Sequence, residues 1–126
     1  MNKFREFTTS SGIKVICGRD AETNDAVVDQ AEDNELLVHT EAAGSPFCNI
    51  KASERDISKQ DIKETAIFCA RYSREWKKNK RNTEVHIFTK KDMYKDKKMK
   101  AGTWGVRKLK RLVISKEDIT KLENSK

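Results

Sequence analysis

Three side chains in the first third of the chain are of types that can do chemistry together: Arg19, Asp25 and His39. Arg19 is a permanent cation suited to clamping a phosphate. His39 changes charge near neutral pH and could serve as a general base. Each follows an apolar run that reads as a strand, so one sheet edge could gather all three. A plainer reading stands beside that one. A lone histidine at a strand end is more often a hydrogen-bonded structural residue, and Asp25 can simply hold Arg19 or cap a turn. The sequence offers no nucleophile–base pair, no metal-ligand set and no phosphate loop. The residues therefore favour binding over catalysis. No catalytic residue, metal or cofactor is assigned.

Positioning these groups falls first to the stretch Glu35 to Ile50, ELLVHTEAAGSPFCNI. It reads as two apolar strands around the turn Ala42-Ala43-Gly44-Ser45-Pro46. Pro46 fixes its own φ and biases Ser45 towards extended backbone, while Gly44 permits a positive φ. His39 stands at the mouth of that turn. Before it, FREFT (Phe4 to Thr8) and IKVIC (Ile13 to Cys17) flank Ser10-Ser11-Gly12 and read as a hairpin. Gly18 closes the second strand, and Asp20 can cap a short helix from about 22 to 31.

The most secure element is a helix from 59 to about 76. Ser58 and Asp61 have capping-box spacing, and Ile62, Ala66, Cys69, Ala70 and Ser73 form a narrow stripe of mostly small residues. Small residues let a helix lie close on a sheet. EVHIFT (Glu84 to Thr89) is a strand in which His86 reads as an ordinary member, and Arg107 to Ser115 is the last strand. Between them lies a long segment without clear period, Lys90 to Val106. Residues 116–126 read as a polar tail, frayed from Ile119 onward. The expectation is a single α+β domain over 1–115, a mostly antiparallel sheet packed by one long and one short helix. Cys17, Cys48 and Cys69 are odd in number and far apart. They read as separate, buried, reduced thiols of a cytoplasmic protein. No stretch has the length of a membrane span, and the first residues do not begin a signal peptide.

The net charge of +7 is concentrated in one block. Residues 77–111 carry 14 Lys and Arg against 3 Asp and Glu, whereas residues 1–76 carry 10 against 14. A basic block beside an acidic half makes an electrostatic face whose natural partners are polyanions. Candidate phosphate contacts are Lys77, Lys78, Lys80, Arg81, Lys95, Lys97, Lys98, Lys100, Arg107, Lys108 and Lys110. The segment interleaves lysines with Met93, Tyr94, Met99 and Trp104. Aromatics among basic residues can stack on bases, and equally Tyr94 and Trp104 can anchor the segment to the core.

Four words in order carry a resemblance: G-R-D-x-x-x-N-D at Gly18 to Asp25, V-H-x-x-x-x-G-S at Val38 to Ser45, E-T-A-I-F-C-A-R-Y-S at Glu64 to Ser73, and K-x-K-K-x-K-x-G at Lys95 to Gly102. Together they resemble the NFACT-R domain, the RNA-binding domain of ribosome quality-control proteins of the RqcH, Tae2 and NEMF type, over about residues 4 to 115. Two positions depart from the family pattern. Leu37-Val38 stands where the family often has Trp-Phe, and Pro46 replaces a second histidine in the turn. The resemblance implies an α+β fold and binding of RNA, either tRNA or ribosomal RNA on stalled large subunits, by a standalone form of the domain. Carried onto this sequence, its motif residues are Gly18, Arg19, Asn24, Asp25, His39, Gly44, Ser45, Ser73, Lys95 and Gly102, of which Arg19, Asn24, Asp25, His39, Gly44 and Ser45 join the basic residues and Trp104 as RNA-binding candidates. Two alternatives remain: an RNA-directed enzyme built on His39, Arg19 and Asp25, and an adaptor whose acidic half docks on ribosomal proteins.

Overall fold

A computed structural model describes residues 3–125. Its strands are β1 (Arg5–Thr8), β2 (Lys14–Cys17), β3 (Glu35–Thr40), β4 (Cys48–Ser53), β5 (Thr83–Thr89), the short pair β6 (Met93–Tyr94) and β7 (Gly105–Val106), and β8 (Lys110–Ile114). Its helices are α1 (Ala21–Gln30), α2 (Lys59–Arg71), α3 (Arg74–Asn79) and α4 (Lys116–Glu123). The main sheet has six strands in the order β1-β2-β4-β3-β5-β8, all antiparallel. The α+β expectation holds.

The pleat explains why β3 reads as an unbroken apolar run. Leu36 and Val38 point into one core with Cys48, Ile50, Val85 and Ile87, under α2, α3 and α4. Leu37 points into the other, with Phe47, Phe88 and the α1 residues Val27 and Val28. A sheet covered on both faces has no polar side to alternate with. Asp20 and Thr23 cap α1 reciprocally, and Ser58 and Asp61 do the same for α2. The tip of the β1–β2 hairpin is pinned to α2, since the Ser10 and Ser11 hydroxyls donate to Glu64 and Asp61, both at 2.6 Å.

Three expectations are corrected. The long helix is two, because Ser73 resets the chain. Its Oγ donates to Ala70 O (2.7 Å) and accepts the Trp76 amide (3.1 Å), capping α3. The polar tail is not frayed, because Ser115 caps α4 and Ile119 is wholly buried beside α2. Only Ile119 and Leu122 marked it in the sequence, too few to show a period. The cysteines are not three separate thiols. The β2–β4 register sets Cys17 against Cys48 at a Cα separation of 4.1 Å, and they are joined as a disulfide. Cys69 alone keeps its thiol, and burial pushes its pKa up to about 12.

If α4 is part of the domain, Ile119→Ala should destabilise the whole fold by about 2–4 kcal/mol, the usual range for emptying a buried aliphatic site. Urea unfolding measures this. A change under about 0.5 kcal/mol would show that α4 contributes little.

Candidate nucleic-acid interface

The segment after β3 is held from three sides. Ser45 Oγ accepts the Thr40 amide at 3.0 Å, and Thr40 Oγ1 donates to Ala42 O at 2.7 Å. The Arg74 amide donates to Gly44 O at 2.9 Å, locking the turn to the α2–α3 corner. Gly44 has φ +94°, and a Cβ there would press on the Arg74 side chain. Asn24 completes the clamp, its Oδ1 accepting the Phe47 amide at 3.0 Å. That side chain lies so close to Gly18 that no Cβ would fit.

The lysine-rich segment is fastened by one carboxylate. Asp25 Oδ1 accepts from Trp104 Nε1 (2.8 Å) and from the Gly102 amide (3.0 Å), with Lys95 Nζ at 3.5 Å. Lys95 also donates to the carbonyls of Lys100 (2.8 Å) and Thr103 (2.7 Å). The pairing of β6 with β7 closes the base of this loop, and Gly105 is needed there because the Tyr94 ring lies across it. The unperiodic sequence thus hides an anchored loop.

His39 stands opposite His86 in the β3–β5 pair, its ring 4.4 Å from that of Phe47. Its Nδ1 is 2.7 Å from Thr40 O, so that nitrogen carries the proton and Nε2 is left as an acceptor. Burial lowers its pKa to about 4, with the Thr40 carbonyl opposing the shift. His39 is therefore neutral at physiological pH. It can accept a hydrogen bond from a hydroxyl or a base N–H, but it cannot attract phosphate as a cation.

Between these parts opens a cleft of about 740 Å³. The structure brings Arg19, Asn24, His39, Gly44, Ser45, Lys77 and Trp104 to its lining. It does not assemble the trio. The Asp25 carboxylate is taken by Trp104 and Gly102, and among the described residues it makes no ion pair or hydrogen bond with Arg19. Among the described residues no cluster of His, Cys, Asp or Glu could hold a metal. Lys95 is turned onto the loop's own carbonyls. Lys80 and Arg81 pair with Glu123 (3.2 Å) and Glu75 (2.6 Å), and Arg107 lies 4.7 Å over the Tyr94 ring. Lys78, Lys97, Lys98, Lys100, Lys108 and Lys110 lie outside the cleft lining and have no ion-pair partner among the described residues. Among the lining residues that sequence reading missed are Arg5, Tyr72, Arg74 and His86. Arg71-Tyr72-Ser73 closed the third motif word, so Tyr72 had a signal. Arg5 had none, because only the strand order brings β1 near the turn.

Compared with known proteins, the sequence falls in a class of RNA-binding domain. The model of the NFACT protein RNA binding domain matches residues 3–108, and the chain belongs to that family. Over 76 residues the chain is 33% identical to the archaeal Rqc2 homolog aRqcH of Methanocaldococcus jannaschii, a match that covers 60% of this chain and 11% of that protein. The chain thus corresponds to a small part of that relative. The solved structure of the C-terminal of the fibronectin/fibrinogen-binding protein from Streptococcus suis superimposes with a TM-score of 0.82 at 19% identity, over 96% of this chain and 50% of that one. That likeness establishes the fold.

The His39 environment makes stability depend on pH. Its folded pKa of about 4 lies below the unfolded 6.5, so between these values the unfolded chain binds more protons. Stability should therefore fall as the pH is lowered from about 6.5 towards 4, by roughly 2–3 kcal/mol at pH 4.5. Urea titrations at pH 7 and pH 4.5 measure it. His39→Gln should remove this part of the slope, and an unchanged slope would refute the assignment to His39.

Proposed function

We propose that this domain binds structured RNA, tRNA or ribosomal RNA, and does so on large ribosomal subunits in ribosome quality control. The observation that carries this reading is the placement of unpaired positive charge. Lys97, Lys98 and Lys100 are exposed on the loop that forms one wall of the cleft, Lys77 and Lys78 stand on α3 beside it, and none has a carboxylate partner among the described residues. Lysines left without partners keep their counterions free to be displaced by a phosphate backbone. Family membership favours RNA over DNA, and the aRqcH relative, an Rqc2 homolog by name, suggests the ribosomal setting. His39, held neutral, adds an acceptor that a 2′-hydroxyl, which DNA lacks, can use.

The test is a salt series of affinity for a folded tRNA and for duplex DNA of equal charge. Both affinities should fall steeply with salt, and tRNA should keep a roughly tenfold advantage at physiological ionic strength, about 1.4 kcal/mol. Replacing Lys97, Lys98 and Lys100 by Ala should lower the salt slope by about 2. Coincident curves for the two polyanions would refute RNA recognition, and failure to bind either would refute the function.

A further inference from the structure

The cleft has a second cationic group that the basic block does not include. Arg5 comes from β1, Arg19 from the turn between β2 and α1 and Arg74 from the start of α3, elements far apart in sequence that all line the cavity. None of the three has an ion-pair partner among the described residues. The Arg5 guanidinium lies 4.0 Å over the Tyr72 ring, and Arg71 covers the same ring at 4.8 Å. Arg19 and Arg71 are near enough to Arg5 to disfavour its charge, an effect that adds to burial. The lining holds four cationic side chains, Arg5, Arg19, Arg74 and Lys77, against two carboxylates. Asp20 is engaged by the Thr23 amide at 2.8 Å and hydroxyl at 2.9 Å, and Glu41 is exposed on the turn. A cationic excess gathered in a concave site favours a bound anion.

The rest of the lining is not that of a surface for a duplex backbone. Half-buried Trp104, Val106 and Leu109 line the cleft together with the His39 ring, which rests on Phe47. A paired base hides its faces in the stack and has no use for such walls. An unpaired base can stack on them and hydrogen-bond its free edge. The volume, about 740 Å³, is that of a small-molecule site.

We propose that the cleft receives a single unpaired nucleotide of the bound RNA, its phosphate on Arg5, Arg19 and Arg74 and its base between His39 and the Trp104–Leu109 wall. This rests on the RNA reading above and adds to it the part of the RNA that is recognised. Basic loop residues hold the neighbouring backbone, and the cleft selects an end, bulge or loop with a base free to enter.

Two RNA hairpins whose strands are joined by a non-nucleotide linker, so that no loop base is free, decide it; they are identical except that one is blunt and the other carries one unpaired 3′ nucleotide, and each is titrated against the full chain by fluorescence anisotropy. The unpaired nucleotide should strengthen binding at least tenfold. In Arg5→Gln and Arg74→Gln the ratio of the two affinities should fall towards one. In the Lys97, Lys98 and Lys100 to Ala variant both affinities should drop by the same factor and the ratio should persist. Equal binding of the two hairpins by the unaltered chain would overturn the proposal while leaving RNA binding intact, and needs no variant to fold. A ratio unmoved by the arginine substitutions would overturn it as well. If neither hairpin binds, the RNA reading itself falls, and this proposal with it.

Discussion

The geometry of the site depends on what the Asp25 carboxylate holds. It reaches from α1 to the Trp104 indole and the Gly102 amide, and Lys95 closes the arrangement from the loop side. Without it, a loop bearing Lys97, Lys98 and Lys100 would have every electrostatic reason to swing away from the cationic cleft. A residue that looked like a ligand-facing acid is instead what holds the lysine loop in place. The same logic applies to Asn24, which spends its side chain on the Phe47 amide and so fixes the turn that carries Gly44 and Ser45.

The charge pattern then has a structural sense. The acidic first part of the chain supplies caps and clamps: Asp20 for α1, Asp61 for α2 and the hairpin tip, Glu64 for Ser10. These carboxylates are committed to backbone and hydroxyl donors, which holds Asp61 down to about 2 and lowers Asp20 and Glu64. Several lysines of residues 77–111 are left uncompensated on the opposite side of the accounting, around one cavity. Surface ion pairs are worth little individually, so leaving these lysines unpaired costs the fold little while it makes a polyanion face.

The fold was largely legible because its strands are short apolar runs bounded by turn residues, and because capping spacings marked both principal helices. What escaped were features set by tertiary register. Cys17 and Cys48 are 31 residues apart, and only the β2–β4 pairing brings them together. α4 carries two apolar positions, too few to declare a period. The break between α2 and α3 is made by one serine hydroxyl, which no propensity argument isolates. Of the cleft-lining residues, those next to a turn signal or within a motif word were the ones singled out in the sequence, as with Arg19, Asn24, His39 and Ser45. Arg5 and His86 were not, because their contribution arises from which strand lies beside which. Aromatic Trp104 had two readings in the sequence. The indole hydrogen bond to Asp25 shows the anchoring one, and its position in the cleft lining keeps the other open to a ligand.

The central claim is that RNA meets the turn, the α2–α3 corner and the lysine loop together, at one end of the sheet. Backbone amide chemical-shift mapping during titration with a folded tRNA tests it most directly. The account predicts perturbations concentrated at residues 18–24, 39–45, 72–78 and 95–104, with the α4 side of the apolar groove, at Asp118, Lys121 and Leu122, unaffected. Perturbations centred on that groove, or spread evenly over every lysine without focus on the cleft, would contradict it.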